Sequence, residues 1–413
     1  MTSLLGEGPG AKAPDPGTAG APGPGVPVVL ESRPDGVPAR TAAADLLATD
    51  LTSLGATAAH ATAADVDRAL QATRRGLQDF AALLSPAASH RIEEMARLAH
   101  EATVRRFGRT VHLFAPLYLS NECVSTCTYC GFSAGNDVAR RTLSPAEVLA
   151  EARELVDRGF RHLLLVAGEH ARVISKDYLV DCVAALAPVV PSLSLEVQVW
   201  DTATYRQLVD AGCDGLVVYQ ETYDRGTYGE VHLRGKKRNY DWRLAAPDRG
   251  AEAGMRRLGI GALLGLAPGW RAEAVALAAH AHALLRRWWR CELTVSLPRL
   301  RPAAGFSPAR TVSDADFVQL LCALRLLLPD VGMVVSTREE PAFRDAVLPL
   351  GVTHLSAGSS TEPGGYSPAG GAGGAGGRAE PQFEVADDRS PGEVAAALRG
   401  AGYDPVWKDW QRA

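Results

Sequence analysis

The chain has 413 residues and a formal net charge of −4, with 47 Asp and Glu set against 43 Lys and Arg. Such a length holds one α/β barrel of roughly 250 residues with appendages, and the near balance of charge gives no broad electrostatic reason to bind nucleic acid or an anionic membrane. Three of the seven cysteines crowd into positions 123–130 and the rest stand singly, unlike a disulfide framework; with no apolar run of about 18 residues and no secretion signal, the expected setting is the cytoplasm.

Residues 1–40, typified by GEGPGAKAPDPGTAGAPGPG, carry too little apolar surface to offset the cost of ordering and are expected to be disordered. From 41 to 108 the pattern is helical. DVDRALQATRRGLQDFAALL sets Val66, Leu70 and Leu77 at helical spacing before a break at Ser85-Pro86, and RIEEMARLAHEATVRRF follows, so an N-terminal helical cap on the main domain is expected. From 109 to 360 short β-rich runs alternate with helical ones. The expected strands are VHLFAPLYL (111–119), HLLLVA (162–167), LSLEVQV (193–199), GLVVYQ (215–220), LGIGALLGL (258–266), ELTVSL (292–297), GMVVST (332–337) and THLSA (353–357). SPAEVLAEARELVDRG, TATYRQLVDAG and RAEAVALAAHAHALLRRWW are among the helices between them. Eight βα units suffice to close a (β/α)8 barrel of the TIM type, with a doubly wound open sheet as the structural alternative. Over 361–413 a C-terminal extension carries a flexible Gly-rich insertion, GGAGGAGGRA, and a final helix in SPGEVAAALRGAGYDPVW with a Gly stop.

The segment LYLSNECVSTCTYCGFSAGN places Cys123-x3-Cys127-x2-Cys130 in the loop after the first strand. Three thiolates at this spacing can hold three irons of a [4Fe–4S] cubane and leave the fourth iron without a protein ligand, whereas zinc would normally want a fourth Cys or His nearby. A Cx3Cx2C motif with an aromatic before its last Cys resembles the signature of the radical S-adenosylmethionine (SAM) superfamily, in which SAM chelates the open iron. That resemblance gives a meaning to the end of the second strand, Ala167-Gly168-Glu169-His170. Gly168 lets the backbone approach the methionine part of SAM and Glu169 can accept from its ammonium; otherwise the stretch is a plain turn. On the third strand Glu196 and Gln198 alternate with Leu195 and Val197, so that their polar ends can meet at the barrel mouth and reach a ribose or amino group, or else form a satisfied core pair.

A narrower resemblance covers roughly 60 to 410. PLYLSNECVSTCTYCGFS, LLLVAGEH, DGLVVYQETYD, HLRGKKRNYDWRL, GIGALLGL, LPRLRPAAG, STREEPAFRD, LSAGSSTEPGGY and PVWKDW look, in this order, like the ThiH-type 2-iminoacetate synthases, the tyrosine lyases of thiamin thiazole biosynthesis. In the related aromatic amino acid lyases an Arg after strand seven and a Ser after strand eight hold the substrate carboxylate, and these fall on Arg338 and Ser356. Both would stand at strand C-termini, where barrel active sites are built, and guanidinium is a natural bidentate partner of carboxylate; surface ion pairing is the other reading of Arg338. Tyr118 lies at the same rim, near cluster and substrate or as an ordinary core aromatic. Glu221, in Gln220-Glu221-Thr222-Tyr223 after strand four, lines the SAM and substrate cavity by resemblance. Of the basic run Arg234, Lys236, Lys237, Arg238 and Arg243, only Arg243 is retained as a candidate for the SAM carboxylate, since a solvated charge run is the commoner explanation of such a stretch. Arg299 and Arg301 are left between loop setting and substrate contact.

The family usually reads Glu-Val-Gln-Pro-Leu after strand three, whereas Val199 and Trp200 follow Gln198 here, placing an indole near the expected adenosyl site. The similar hydrogenase-maturation tyrosine lyase HydG bears a second cluster on a C-terminal cysteine motif, and this sequence has no Cys after Cys322. The resemblance implies cleavage of the Cα–Cβ bond of L-tyrosine to 2-iminoacetate and p-cresol, with SAM split to methionine and 5′-deoxyadenosine. It also implies a reductant such as flavodoxin or ferredoxin and a thiazole synthase partner. A lyase acting on another aromatic amino acid, tryptophan, is the alternative within the class, and a non-catalytic iron–sulfur scaffold the alternative outside it.

Overall fold

The computed structural model describes residues 41–309, 311–367 and 379–408. The tail expected over 1–40 and the body of the Gly-rich insertion lie outside these residues. Nine strands make one sheet: β1 (Thr110–Ser120), β2 (His162–Ala167), β3 (Ser192–Glu196), β4 (Gly215–Glu221), β5 (Arg257–Ala262), β6 (Glu292–Ser296), β7 (Gly332–Val335), β8 (His354–Ser356) and β9 (Asp404–Val406). The order β2-β3-β4-β5-β6-β7-β8-β1 closes on itself through an additional β1–β2 pairing. Ala115 to Ser120 of β1 pair with β2, and His112 to Phe114 pair with β8, all in parallel register. The open-sheet alternative is thereby excluded, and the barrel is shown.

Strands buried on both faces need apolar residues at nearly every position, and β2 meets that demand with HLLLVA, of which Leu163, Leu164, Leu165 and Val166 are buried. The intervening helices start where the sequence supplies caps. Ser144 accepts from Glu147 N at the head of Pro145–Asp157, where Pro fills the first turn, and Asp201 does the same for Thr202–Asp210.

Expected strands one, two and four stop within a residue of the observed ends, whereas others overrun at their C-terminal ends. Expected strand three reaches residue 199 and strand five residue 266, but pairing stops at Glu196 and Ala262. The apolar residues beyond, such as Leu263 and Leu266, are buried in loops that wall the site instead of in the sheet.

The helices before β1 pack on two barrel helices, Trp270–Arg287 and Asp314–Leu327. One carboxylate anchors the first of them: Asp248 accepts from Ala42 N at 2.8 Å, Ala43 N at 3.1 Å and Trp288 Nε1 at 2.7 Å. The stretch 65–84 is two helices, Ala63–Gln71 and Leu77–Leu83. Between them the Arg75 guanidinium turns back to the carbonyls of Ala69 and Leu70 at 2.8 and 2.6 Å and satisfies end groups of the first helix. The last helix stops at Gly400, and the residues after it form β9, which pairs in parallel with Thr110 to His112. A three-residue strand containing Pro405 has no pattern by which a sequence could declare it.

Candidate active site

The loop after β1 carries Cys123, Cys127 and Cys130, all free thiols. It is clamped between neighbours that have no side chain of their own. A Cβ on Gly168 would sit 2.3 Å from the Glu122 carbonyl oxygen and 3.1 Å from Cys123 Cβ. Gly235, at φ +93°, brings the chain so near that a Cβ would meet Ser125 Oγ at 2.3 Å. The requirement for glycine at 168 is thus set by the cysteine loop itself. Backbone pairs fasten the other flank: Leu233 N donates to Thr126 O, Thr126 N to Arg234 O and Thr128 N to Val231 O.

The donor set fits an iron–sulfur cluster. Glu169 N donates to Cys123 Sγ at 3.4 Å, and Gln382 Nε2 lies 3.9 Å from Cys130 Sγ, the kind of N–H···S contact that supports thiolate ligands. Burial pushes the Cys123 thiol up to about 11, so without metal it is a neutral thiol, and binding iron would release its proton. Among the described residues no three His, Cys, Asp or Glu side chains converge on a single metal ion. Three thiolates on one zinc, each about 2.3 Å from the metal, would have to lie within about 4 Å of one another.

Beside the loop stand two carboxylates and two cations. Arg243 pairs with Glu169 at 3.2 Å and Glu221 at 3.7 Å and donates through Nε to Tyr219 O at 2.7 Å. Lys237 pairs with Glu221 at 2.6 Å, and Ser125 Oγ donates to Glu169. Glu221 is the only non-glycine with positive φ (71°) among the described residues, at a bulge in β4; such a conformation costs about 1–2 kcal/mol and marks sites where the surroundings over-determine the backbone. Burial alone would push the Glu221 carboxyl up, but Lys237 and Arg243 outweigh it and hold it below its ordinary value.

Two cavities share the walls Glu196, Tyr219, Arg338, Gln382 and Phe383. One reaches Cys130, Lys237, Glu221 and Arg301; the other is lined by Tyr118, Ser356 and Ser336. Arg338 and Ser356, 18 positions apart on neighbouring strand ends, therefore face one space. Ser356 Oγ accepts from Thr337 N at 3.1 Å, which fixes it beside the Arg338 turn. Tyr118 donates to Gln382 Oε1 at 2.8 Å. Burial first and Glu221 second push the Glu196 carboxyl up to about 7, against the pull of Arg338.

Of the residues singled out from sequence, Gln198 turns elsewhere. Its Nε2 donates to Ile174 O at 2.8 Å and it lines neither cavity, because β3 ends at Glu196 and the alternation that would have aimed it inward ends there too. Trp200 also lines neither cavity; its backbone is held by Tyr205 Oη and Arg249 Nε. Arg299 is engaged with Glu339 and Asp314, whereas Arg301 reaches the cavity wall.

Gln382 and Phe383 were missed, and Lys237 was set aside with the basic run. Nothing distinguishes Lys237 within a run of four basic residues, except that Gly235 swings the chain just before it. Gln382 and Phe383 follow a low-complexity stretch and carry no motif. Tyr129, the aromatic of the cysteine motif, is explained locally: its hydroxyl meets His232 Nε2 at 2.8 Å, and burial, reinforced by Lys237, lowers His232 to about 3, so that a neutral ring can accept.

A closed parallel barrel whose first strand delivers three cysteines beside a walled polar cavity defines a radical SAM enzyme. Residues 117–278 match the Radical SAM superfamily, and residues 296–404 match the Biotin and Thiamin Synthesis associated domain. The chain is 46% identical over 351 residues to the 2-iminoacetate synthase of Escherichia coli K12, covering 84% of this chain and 91% of that one. It is 44% identical to that of Salmonella typhimurium LT2, with 84% and 91% covered. Among solved structures, the [FeFe]-hydrogenase maturase HydG superposes with a TM-score of 0.80 at 34% identity, over 87% of this chain and 79% of that one. The chain belongs to the 2-iminoacetate synthase family, carbon–carbon lyases that work with a [4Fe–4S] cluster and SAM.

Proposed function

We propose that the barrel cleaves the Cα–Cβ bond of L-tyrosine to 2-iminoacetate and p-cresol, with SAM split to methionine and 5′-deoxyadenosine, in making the thiazole of thiamin. The observation that carries this is the meeting of Arg338 and Ser356 in one cavity whose walls continue to Cys130.

When bound, the cluster and SAM supply a carbon radical that removes a hydrogen atom from the substrate amino group. The chain supplies position. Cys123, Cys127 and Cys130 would hold three irons, while Gly168, Glu169, Glu196, Glu221 and Arg243 form the SAM side. Glu169 and Glu221 offer acceptors to an ammonium, with Arg243 and Lys237 balancing their charge. Glu196 stands between the two cavities, within reach of a ribose or an amino group. Gln198 serves only indirectly, by holding the loop at Ile174. Arg338 and Ser356 take the tyrosine carboxylate, and Tyr118 closes the rim above it. Fixing the amino acid at its carboxylate would turn its amino N–H toward the radical, and a walled cavity keeps water from the imine product.

A flavodoxin or ferredoxin is the reductant in this reading, a thiazole synthase receives the imine, and the setting is cytoplasmic. No helix among the described residues is long and apolar enough to cross a membrane. The domain plan is a tail over 1–40, a helical cap over 41–108, the barrel over 109–360 and an extension over 361–413. Oxygen-free incubation of cluster-loaded protein with SAM and either tyrosine or tryptophan tests the substrate. We expect p-cresol with tyrosine, and an indole product without p-cresol would overturn the assignment.

A further inference from the structure

Residues 379–387 return from the C-terminal extension and cross the barrel mouth. They are stitched to four loops: Gly131 N donates to Gln382 O, Gln382 N to Thr361 O, Glu384 N to Pro302 O and Ala386 N to Thr337 O. The fit against the cysteine loop is close, since a Cβ on Gly131 would meet Pro381 O at 2.6 Å and Gln382 O at 2.9 Å. Two side chains of this strap face the cavities. The Phe383 ring lies 3.4 Å from the Arg338 guanidinium carbon, and no hydrogen bond among the described residues engages that guanidinium. Gln382 accepts from Tyr118 Oη at 2.8 Å and turns its amide N–H groups toward Cys130 Sγ, 3.9 Å away.

We propose that Gln382 and Phe383 are positioning residues: Phe383 sets the plane of Arg338 for the substrate carboxylate, and Gln382 ties the substrate wall at Tyr118 to a cluster-bearing sulfur. The physical grounds are separate for each. A guanidinium stacked on an aromatic face keeps its N–H edge free for a planar carboxylate. An amide N–H directed at a ligating sulfur stabilises the more negative, reduced cluster, and so raises its potential.

The proposal rests on the tyrosine-lyase reading for Phe383 and is independent of it for Gln382. In cluster-loaded, full-length protein, Phe383→Leu is expected to raise KM for tyrosine about tenfold, as loss of a desolvated cation–π contact allows, with kcat changed less than about twofold, and Phe383→Tyr is expected to restore KM. Gln382→Ala is expected to shift the cluster midpoint potential downward, measured by EPR-monitored titration without substrate, and to raise the ratio of 5′-deoxyadenosine to p-cresol. If Gln382→Ala does not load iron, Gln382→Glu, which replaces the donor by an acceptor, should shift the potential the same way. Unchanged KM in Phe383→Leu together with an unchanged potential in the Gln382 variants would overturn the proposal. Wild-type protein that makes no p-cresol would instead defeat the lyase reading and the Phe383 role, while the potential would still decide Gln382.

Discussion

Glu196 concentrates the electrostatics of the site, because it is a carboxyl set among walls that include the Glu221 carboxylate, the tyrosines Tyr118, Tyr129 and Tyr219, and the cations Lys237, Arg301 and Arg338. Its folded-state value of about 7 lies above the ordinary 4.5, so the folded protein binds this proton more tightly than the unfolded chain does. The stabilisation is full below about pH 4.5 and is lost as the pH rises through 7. Glu196→Gln should therefore gain on wild type between pH 5 and pH 8, by up to about 3 kcal/mol. Chemical denaturation of the cluster-free proteins measures it, and an equal difference at both pH values would show that the carboxyl does not titrate in this window. At this scale the three cysteines, Glu169, Glu221, Arg338 and Ser356 were legible because each sits at a strand end in a motif. Lys237 and Gln382 were not, since a contact spanning 252 positions, such as Gln382 to Cys130, leaves no local trace.

Among the elements, the strands were the most readable, and the error lay at their mouths, where an apolar run continues from sheet into loop without changing composition. The strap over 379–387 went unread because backbone hydrogen bonds, which carry no sequence signature, hold it to the loops. What anchors its far end is ionic. Asp387 pairs with Arg344, both side chains fully buried, and Arg344 also donates to the Ser356 carbonyl, joining the strap to the strand that presents Ser356. Removing one partner of such a pair strands the other charge. Asp387→Ala should lower unfolding free energy by about 3–5 kcal/mol, read as a shift of the denaturant midpoint at unchanged slope; a loss below about 1 kcal/mol would mean that water reaches Arg344.

Seen whole, the molecule assigns its halves different work: the β1–β4 side brings sulfurs, carboxylates and Arg243, and the β6–β8 side brings Arg301, Arg338 and Ser356. The closed barrel is what makes them neighbours, since β1 joins β8 as well as β2. Cys123, Cys127 and Cys130 would hold three irons of the [4Fe–4S] cluster and leave the fourth open to SAM. Iron analysis with Mössbauer and EPR spectroscopy of anaerobically reconstituted protein, before and after SAM is added, tests this most directly. About four irons per chain, with one iron's signal altered by SAM, is the expected result; a mononuclear metal, or a cubane whose spectra SAM leaves untouched, would contradict it.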